Sequence, residues 1–145
     1  MNLLLYIIEN FLRIFGLFWI AGGILALKTA KESCFLDTCL EQIQQKKVDH
    51  LVTNFMFIGG FLTLLSGIGL LINNDGVVII LVTLIISQLI YFNIKKRKFM
   101  RAESEEEREE YSINSSTYNA FLTSIYLSII VTIKIILKRS IDLFN

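Results

Sequence analysis

The chain has 145 residues, of which 54% are hydrophobic, and its formal net charge is only +1. Its mean hydropathy of +0.60 exceeds what a soluble domain of this length needs for its core, so the composition indicates a protein solvated by lipid. The small net charge argues against a general nucleic-acid-binding role, which needs a basic surface. The sequence contains no proline, so we expect helices without proline kinks.

The first apolar segment, predicted to span about residues 11–30, differs from a cleaved signal peptide. Met1 and Asn2 carry no basic side chain, and Glu9 and Arg13 interrupt the apolar run. Lys28 also lies where a small residue should precede a cleavage site. We therefore expect this segment to remain in the mature protein as a membrane span.

The charges in this first span allow two interpretations. If the helix enters the membrane at its N-terminus, Arg13 lies near the bilayer centre, where each charge costs about 2.5 to 3.5 kcal/mol. If the span covers residues 11–30, Arg13 and Lys28 extend to the two surfaces and Glu9 lies in the interface, which costs less and is the interpretation that we prefer. The alternative is a polar pocket in which Glu9 and Arg13, spaced i and i+4, join Lys134 and serve ion or solute transport.

Three further apolar stretches are long enough to cross a hydrocarbon core of ~30 Å, at about residues 51–72, 77–93 and 116–137. The stretch INNDG, residues 72–76, predicts a tight turn, so that the second and third spans form a helical hairpin. The sequence thus predicts an all-α fold, an integral membrane four-helix bundle built as a single domain over residues 1–145.

The distribution of lysine and arginine predicts the orientation of the spans. The two long loops, residues 28–50 and 93–115, carry ten basic side chains, whereas the opposite side has only Lys138 and Arg139 at its far end. The positive-inside rule therefore places both long loops in the cytoplasm and both termini outside, in a membrane of the bacterial inner or plasma type.

Small residues recur along the predicted spans at the spacing that lets membrane helices approach closely. The positions are Ser116, Ala120, Ser124 and Ser128 on the fourth span, Gly22 and Ala26 on the first, and Gly60 and Gly67 on the second. We expect these faces to hold the chain's own bundle together. The alternative is that one of them, with the fourth span as the first candidate, docks a membrane protein partner or a second copy of the chain.

The first long loop repeats apolar residues with charges between them, which predicts an amphipathic helix lying on the inner membrane surface. Cys34 and Cys39 would point ~140° apart on this helix, too far for a relaxed disulfide. Two thiols and the single His50 are too few for a zinc site, so we predict no metal. We interpret both cysteines as reduced packing residues, with redox work or palmitoylation as the alternative.

The second long loop begins with a basic run, KKRKFMR, directly after the third span. Lys95, Lys96, Arg97 and Lys98 are expected to anchor the topology and to contact the anionic headgroups of the lipid bilayer. The acidic stretch ESEEEREE, residues 103–110, then predicts a short exposed helix. Its alternative interpretation is a docking surface for a basic partner or a loose divalent-cation site.

The stretch LRIFGLFWIAGGILALK, residues 12–28, resembles the first helix of the DoxX-like family of four-helix membrane proteins, in which an arginine and a glycine open the helix and small residues precede its end. FIGGFLTLLSGIGLL, residues 57–71, with the turn and span that follow, is similar to that family's second and third helices. The resemblance covers about residues 12–92. It implies association with membrane redox complexes, including a quinone-linked one that oxidises thiosulfate, and assigns no catalytic residue here.

The sequence shows no nucleophile with a base, no metal-binding triad and no phosphate loop. We therefore leave enzymatic activity open but favour a non-enzymatic accessory or assembly subunit of a membrane complex, without a cofactor. One alternative is a DoxX-like redox component that uses Cys34 and Cys39 or a bound quinone. The other is a small transporter that uses Glu9, Arg13 and Lys134.

Overall fold

A computed structural model describes residues 2–44 and 50–144, and in these ranges all regular secondary structure is helical. The four long helices are α1 (Asn2–Gln44), α2 (Leu51–Leu71), α3 (Val77–Arg101) and α5 (Ser115–Phe144). The short helix α4 (Glu105–Glu110) lies between α3 and α5, where the acidic stretch predicted it. The all-α class is therefore confirmed for the described part of the chain.

Helix α1 differs most from the prediction. It runs without a break for 43 residues, about 64 Å, which is roughly twice the thickness of a hydrocarbon core. The expected separate amphipathic helix is not present in the described residues, because residues 28–44 continue α1. This stretch contains no glycine or proline that would end the helix, and Asp37 accepts a hydrogen bond from Thr53 of α2 at 2.6 Å, which holds the extension beside α2.

The connections between helices follow from short polar side chains. In the predicted turn between α2 and α3, Asn73 adopts φ 56°, a left-handed conformation that asparagine tolerates, and the side-chain oxygen of Asn74 accepts the backbone N–H of Gly76 at 2.8 Å. Before α5, the side-chain oxygen of Asn114 accepts the N–H of Ser116 at 3.2 Å. The helical hairpin of the second and third spans is thus confirmed.

The shared apolar core lies near one end of the molecule. We call the end at residues 73–76 the turn end, and the end at residues 93–115 the loop end. The core residues are Leu12, Leu70, Val77, Leu81, Leu127 and Val131, which come from all four long helices and lie toward the turn end. Toward the loop end, Thr53 contacts α1 and Lys95 contacts the segment that precedes α5. Aromatic ring contacts there also join α2 to α3 and α3 to α5.

The outer surface of the bundle is apolar. All four long helices are long and apolar enough to cross a membrane, and only 17% to 22% of each apolar window is buried within the chain. The accessible surface is 9890 Å², whereas a water-soluble protein of 16.7 kDa would expose roughly 7,600 Å². Phe18, Leu25 and Ile79 are among the large side chains that face outward. Such a surface is suited to lipid as the surrounding solvent.

Candidate functional site

The most buried charge among the described residues is Lys134 on α5, which is 1% exposed. Its ammonium lies 2.5 Å from Oδ1 of Asp75 and donates a hydrogen bond to Oδ1 of Asn73 at 2.8 Å. Both partners belong to the turn between α2 and α3. The lysine therefore ties α5 to the α2–α3 hairpin at the turn end, where it meets a counter-charge and an amide oxygen.

The carboxylate of Asp75 is electrostatically stabilised. The hydrogen bond from Lys134 lowers the pKa of Asp75 below its usual 3.8, and the positive charges of Lys134 and Lys138 add to this, against an opposing effect of partial burial. Lys138 reaches Oδ2 of the same carboxylate at 3.5 Å from the exposed side. Asp75 is thus an anion between two cations, and it balances the charge of the buried lysine.

Glu9 and Arg13, predicted as possible partners of Lys134, occupy a different part of the turn end. Arg13 is exposed and Glu9 is half-buried, and within residues 2–44 and 50–144 neither forms an ion pair or a side-chain hydrogen bond. Arg13 lies one turn before Gly16, which contacts the end of α2, so its position favours an anchor at the membrane surface. The structure pairs Lys134 with the turn between α2 and α3 instead of with Glu9. The transport pocket therefore stays a prediction.

The groove between α1 and α5 at the turn end is apolar. Its volume is about 360 Å³, and it is lined by Ile7, Ile8, Phe11, Ile130 and Ile133. The described side chains that line this groove are all apolar, so the groove offers a surface for apolar groups.

The predicted small-residue faces separate into inward and outward positions. On the inward side, a Cβ atom added to Gly67 would lie 2.8 Å from the backbone nitrogen of Ile20, and one added to Gly60 would lie 3.1 Å from that of Leu27. Ser124 is fully buried and bonds to the carbonyl of Ala120. These residues pack within the chain, so Ser124 is not available to dock a partner.

The remaining small residues are more accessible. Gly22 and Ser116 are exposed, whereas Ala26, Ala120 and Ser128 are half-buried. A Cβ atom added to Gly22 would meet nothing within 4 Å. Of the predicted partner faces, the one on α1 at Gly22 is therefore the most open.

The basic run at the loop end is only partly exposed. Lys95 is 7% exposed and donates to the carbonyl of Ser112 at 2.9 Å, and Lys98 lies over the ring of Tyr111 at 5.3 Å. Lys96 and Arg97 are exposed. Of the four side chains expected to contact anionic headgroups, Lys95 is thus buried against protein instead, because the segment before α5 folds back over α3.

A second polar cluster, not anticipated from the sequence, joins α1 to α2 at the loop end. His50 lies 3.1 Å from Glu41 and 3.8 Å from Asp37, and Asp37 also accepts the bond from Thr53. The sequence placed Asp37 and Thr53 16 residues apart with no signal that they would meet. Only the continuation of α1 beside α2 brings them together.

The two cysteines are free and half-buried on α1. No group of three or more metal-ligating side chains occurs in the described ranges, and Lys46, Lys47 and Asp49 of the first loop lie outside them. Cys34 and Cys39 therefore have neither a disulfide nor a metal cluster, and their redox role stays a prediction.

Asp75 and Asn73 are the residues that sequence reasoning missed, since the turn was interpreted only as a turn. The available signal was topological: a four-span bundle places the INNDG turn and the C-terminal part of the fourth span at the same end, where a lysine in the span would need a counter-charge.

Comparison of the chain with protein-family models, with curated proteins and with solved structures found no match, so the resemblance to DoxX-like proteins stays a prediction.

Proposed function

We propose that this chain is a small multi-pass membrane protein that acts as a non-enzymatic accessory or assembly subunit of a membrane complex. The observation that supports this role is the outward position of Gly22 on α1. It lies between the exposed side chains of Phe18 and Leu25, and no atom of the described residues lies within 4 Å of a Cβ atom added there. A small residue on a lipid-facing helix allows the backbone of another helix to come close.

The contacts within the chain show how this protein uses glycine. At Gly16, Gly23 and Gly67, a neighbouring helix approaches so closely that an added Cβ atom would lie within 2.7 to 2.9 Å of its atoms. Gly22 has no such neighbour within 4 Å; Gly59 on α2 has none either, but it is less exposed than Gly22. Helix association in lipid depends on this kind of close packing, so the open glycine is suited to a helix of another subunit or of a second copy.

The proposal includes an orientation. The exposed Lys96 and Arg97 at the loop end and the basic residues of the first loop support placing both long loops in the cytoplasm and both termini outside. The membrane would then be of the bacterial inner or plasma type. Anionic headgroups of the inner surface would contact the exposed basic side chains.

The test is extraction of the full chain in a mild detergent, followed by measurement of the mass of the extracted particle. We expect the parent protein to migrate in a complex and Gly22→Leu to migrate as the isolated chain, because the leucine would keep the partner helix away. Thr83→Leu is the matched control, since Thr83 is exposed on α3, away from this face. This control should leave the complex intact.

Three results would oppose the proposal. They are a parent protein that migrates as a monomer, a complex that survives Gly22→Leu, and equal loss of the complex in Gly22→Leu and Thr83→Leu. The composition of the particle distinguishes a different subunit from a second copy. Helical content measured by circular dichroism shows that the variant is folded, so that loss of the complex reflects the altered contact.

The redox and transport alternatives stay predictions with less support. Cys34 and Cys39 both lie on the continuous helix α1. A DoxX-like role would require a bound quinone or another redox partner. A transporter would need Lys134 to leave its ion pair with Asp75 and to line a polar pocket together with Glu9 and Arg13.

A further inference from the structure

A groove of about 370 Å³ opens at the loop end between α3 and the segment that precedes α5. It is lined by Leu89, Phe92, Asn93, Lys96, Phe99, Tyr111, Ser112 and Ile113. The lining is mostly apolar, with the charge of Lys96 and the amide of Asn93 on the exposed side of α3. Its volume is more than ten times the ~30 Å³ that one water molecule occupies, so the groove admits part of a hydrocarbon chain.

The wall opposite α3 is held in place by two contacts. The ammonium of Lys95 donates to the carbonyl of Ser112, and Lys98 lies over the ring of Tyr111. Both lysines come from α3 itself. They attach the segment that contains Tyr111, Ser112 and Ile113 to the helix that forms the other wall, so the groove is a built feature of the fold.

The membrane span proposed for α3, on which this inference rests, places the groove at the depth of the membrane boundary. Counting from Val77, the first residue of α3, Lys96 is about 29 Å along the helix, close to the ~30 Å thickness of a hydrocarbon core. Leu89 and Phe92 lie about 10 Å and 6 Å deeper by the same rise per residue. The charged group is thus level with lipid headgroups, and the apolar lining is level with the upper part of the acyl chains.

We propose that this groove binds a phospholipid with an anionic headgroup. Its acyl chain lies along Leu89 and Phe92, and its phosphate accepts hydrogen bonds from the ammonium of Lys96 and the amide of Asn93. The choice of an anionic headgroup follows from charge, because Lys96, the charged side chain among the residues that line the groove, is positive. The exposed carboxylates of Glu105 and Glu109 on α4 act against it, so the test compares headgroups directly.

The experiment is native mass spectrometry of the purified full chain, released from mixed micelles that contain equal amounts of phosphatidylglycerol and phosphatidylcholine. We expect the parent protein to retain phosphatidylglycerol preferentially. Lys96→Gln should reduce this preference about fivefold, the effect of one basic group near an anionic headgroup. Arg139→Gln, which removes an exposed basic side chain from α5 at the turn end, opposite the groove, should leave the preference unchanged.

A second variant separates the groove from the surface charge. Ile113→Trp fills the apolar lining and retains every basic residue, so it should remove the retained lipid. Inorganic phosphate at millimolar concentration should not displace the lipid, because the acyl chain supplies part of the binding. Equal retention of the two lipids in the parent, or equal effects of Lys96→Gln and Arg139→Gln, would overturn the proposal. So would full retention in Ile113→Trp, or displacement of the lipid by inorganic phosphate.

Discussion

Lys134 has two polar partners in its buried position, because the turn between α2 and α3 supplies both a carboxylate and an amide oxygen. A charge at the centre of a membrane helix is costly, and such residues pair with other polar groups. The two members of the ion pair differ in burial. The lysine is almost wholly buried, whereas the side chain of Asp75 is 38% exposed and has Lys138 as a second partner. The two residues should therefore differ in how much their removal costs.

We expect Asp75→Asn to lower the free energy of unfolding by about 3 kcal/mol, because it leaves a buried ammonium without its counter-ion. Lys134→Met should cost less, since the remaining carboxylate is partly hydrated and keeps Lys138 nearby. Thermal unfolding of both variants in one detergent measures the difference. An equal loss in the two variants, or a larger loss in Lys134→Met, would contradict this explanation.

The ion pair between Asp75 and Lys134 also predicts how the stability of the protein depends on pH. Because the pKa of Asp75 is lower in the folded protein than its usual 3.8, the stabilisation is complete well above pH 3.8 and is lost as the pH falls through the lowered folded value. The unfolding temperature of the parent protein should therefore drop below about pH 4 by an increment that Asp75→Asn lacks. Identical acid profiles for the two proteins would exclude a role for this carboxylate in stability.

At the scale of the helices, the contact between α1 and α2 depends on which glycines face inward. A Cβ atom at Gly23 would lie 2.7 Å from the backbone nitrogen of Leu64, whereas one at Gly22 would meet nothing. Two adjacent glycines thus have opposite environments. The sequence predicted glycine-mediated packing for α1, but it singled out Gly22 and not Gly23 as the contact position.

We expect Gly23→Ala to destabilise the protein by about 1 to 3 kcal/mol, because the backbone of α2 must move to admit the methyl group. Gly22→Ala is the matched control and should be neutral or stabilising by up to about 1 kcal/mol, since alanine favours the helix. Unfolding of the two variants under the same conditions gives the comparison. Equal changes in stability for the two variants would contradict the helix register that the structure gives to α1 and α2.

Helix α1 also shows how an element can extend past the span that hydropathy predicts. The charges after residue 27 suggested that the helix ends at the membrane surface and that a new helix begins. Charges alone do not end a helix in water or at an interface, and residues 28–44 contain no residue that does. The contact between Asp37 and Thr53 then aligns this extension with α2.

At the scale of the whole molecule, the core residues that come from all four long helices lie toward the turn end. Toward the loop end, ring contacts join α2 to α3 and α3 to α5, and polar contacts join α1 to α2 and α3 to the segment before α5. The latter contact forms one wall of the groove proposed to bind lipid. The apolar outer surface is suited to lipid, and the proposals above assign Gly22 to the helix of another subunit and this groove to a phospholipid.

The proposed orientation predicts the accessibility of the cysteines. In intact cells, an impermeant maleimide should not label Cys34 or Cys39 until the membrane is permeabilised, since both would lie toward the cytoplasmic end of α1. The control is Asp142→Cys in a chain with both native cysteines changed to serine, because Asp142 is exposed near the opposite end of α5. This control should be labelled in intact cells. The reverse pattern would invert the topology and place the native thiols in an oxidising compartment.

The sequence by itself determined the four apolar helices, the all-α class and the turn between α2 and α3, because hydropathy, segment length and turn chemistry are local properties. Only the tertiary structure decided that Lys134 meets Asp75, that Gly23 faces inward while Gly22 faces outward, and that Lys95 is buried. The reason is physical: lipid is as apolar as the core, so the periodicity of an apolar membrane helix does not reveal which face packs against protein. Helix rotation and register, which side-chain packing sets, make that choice.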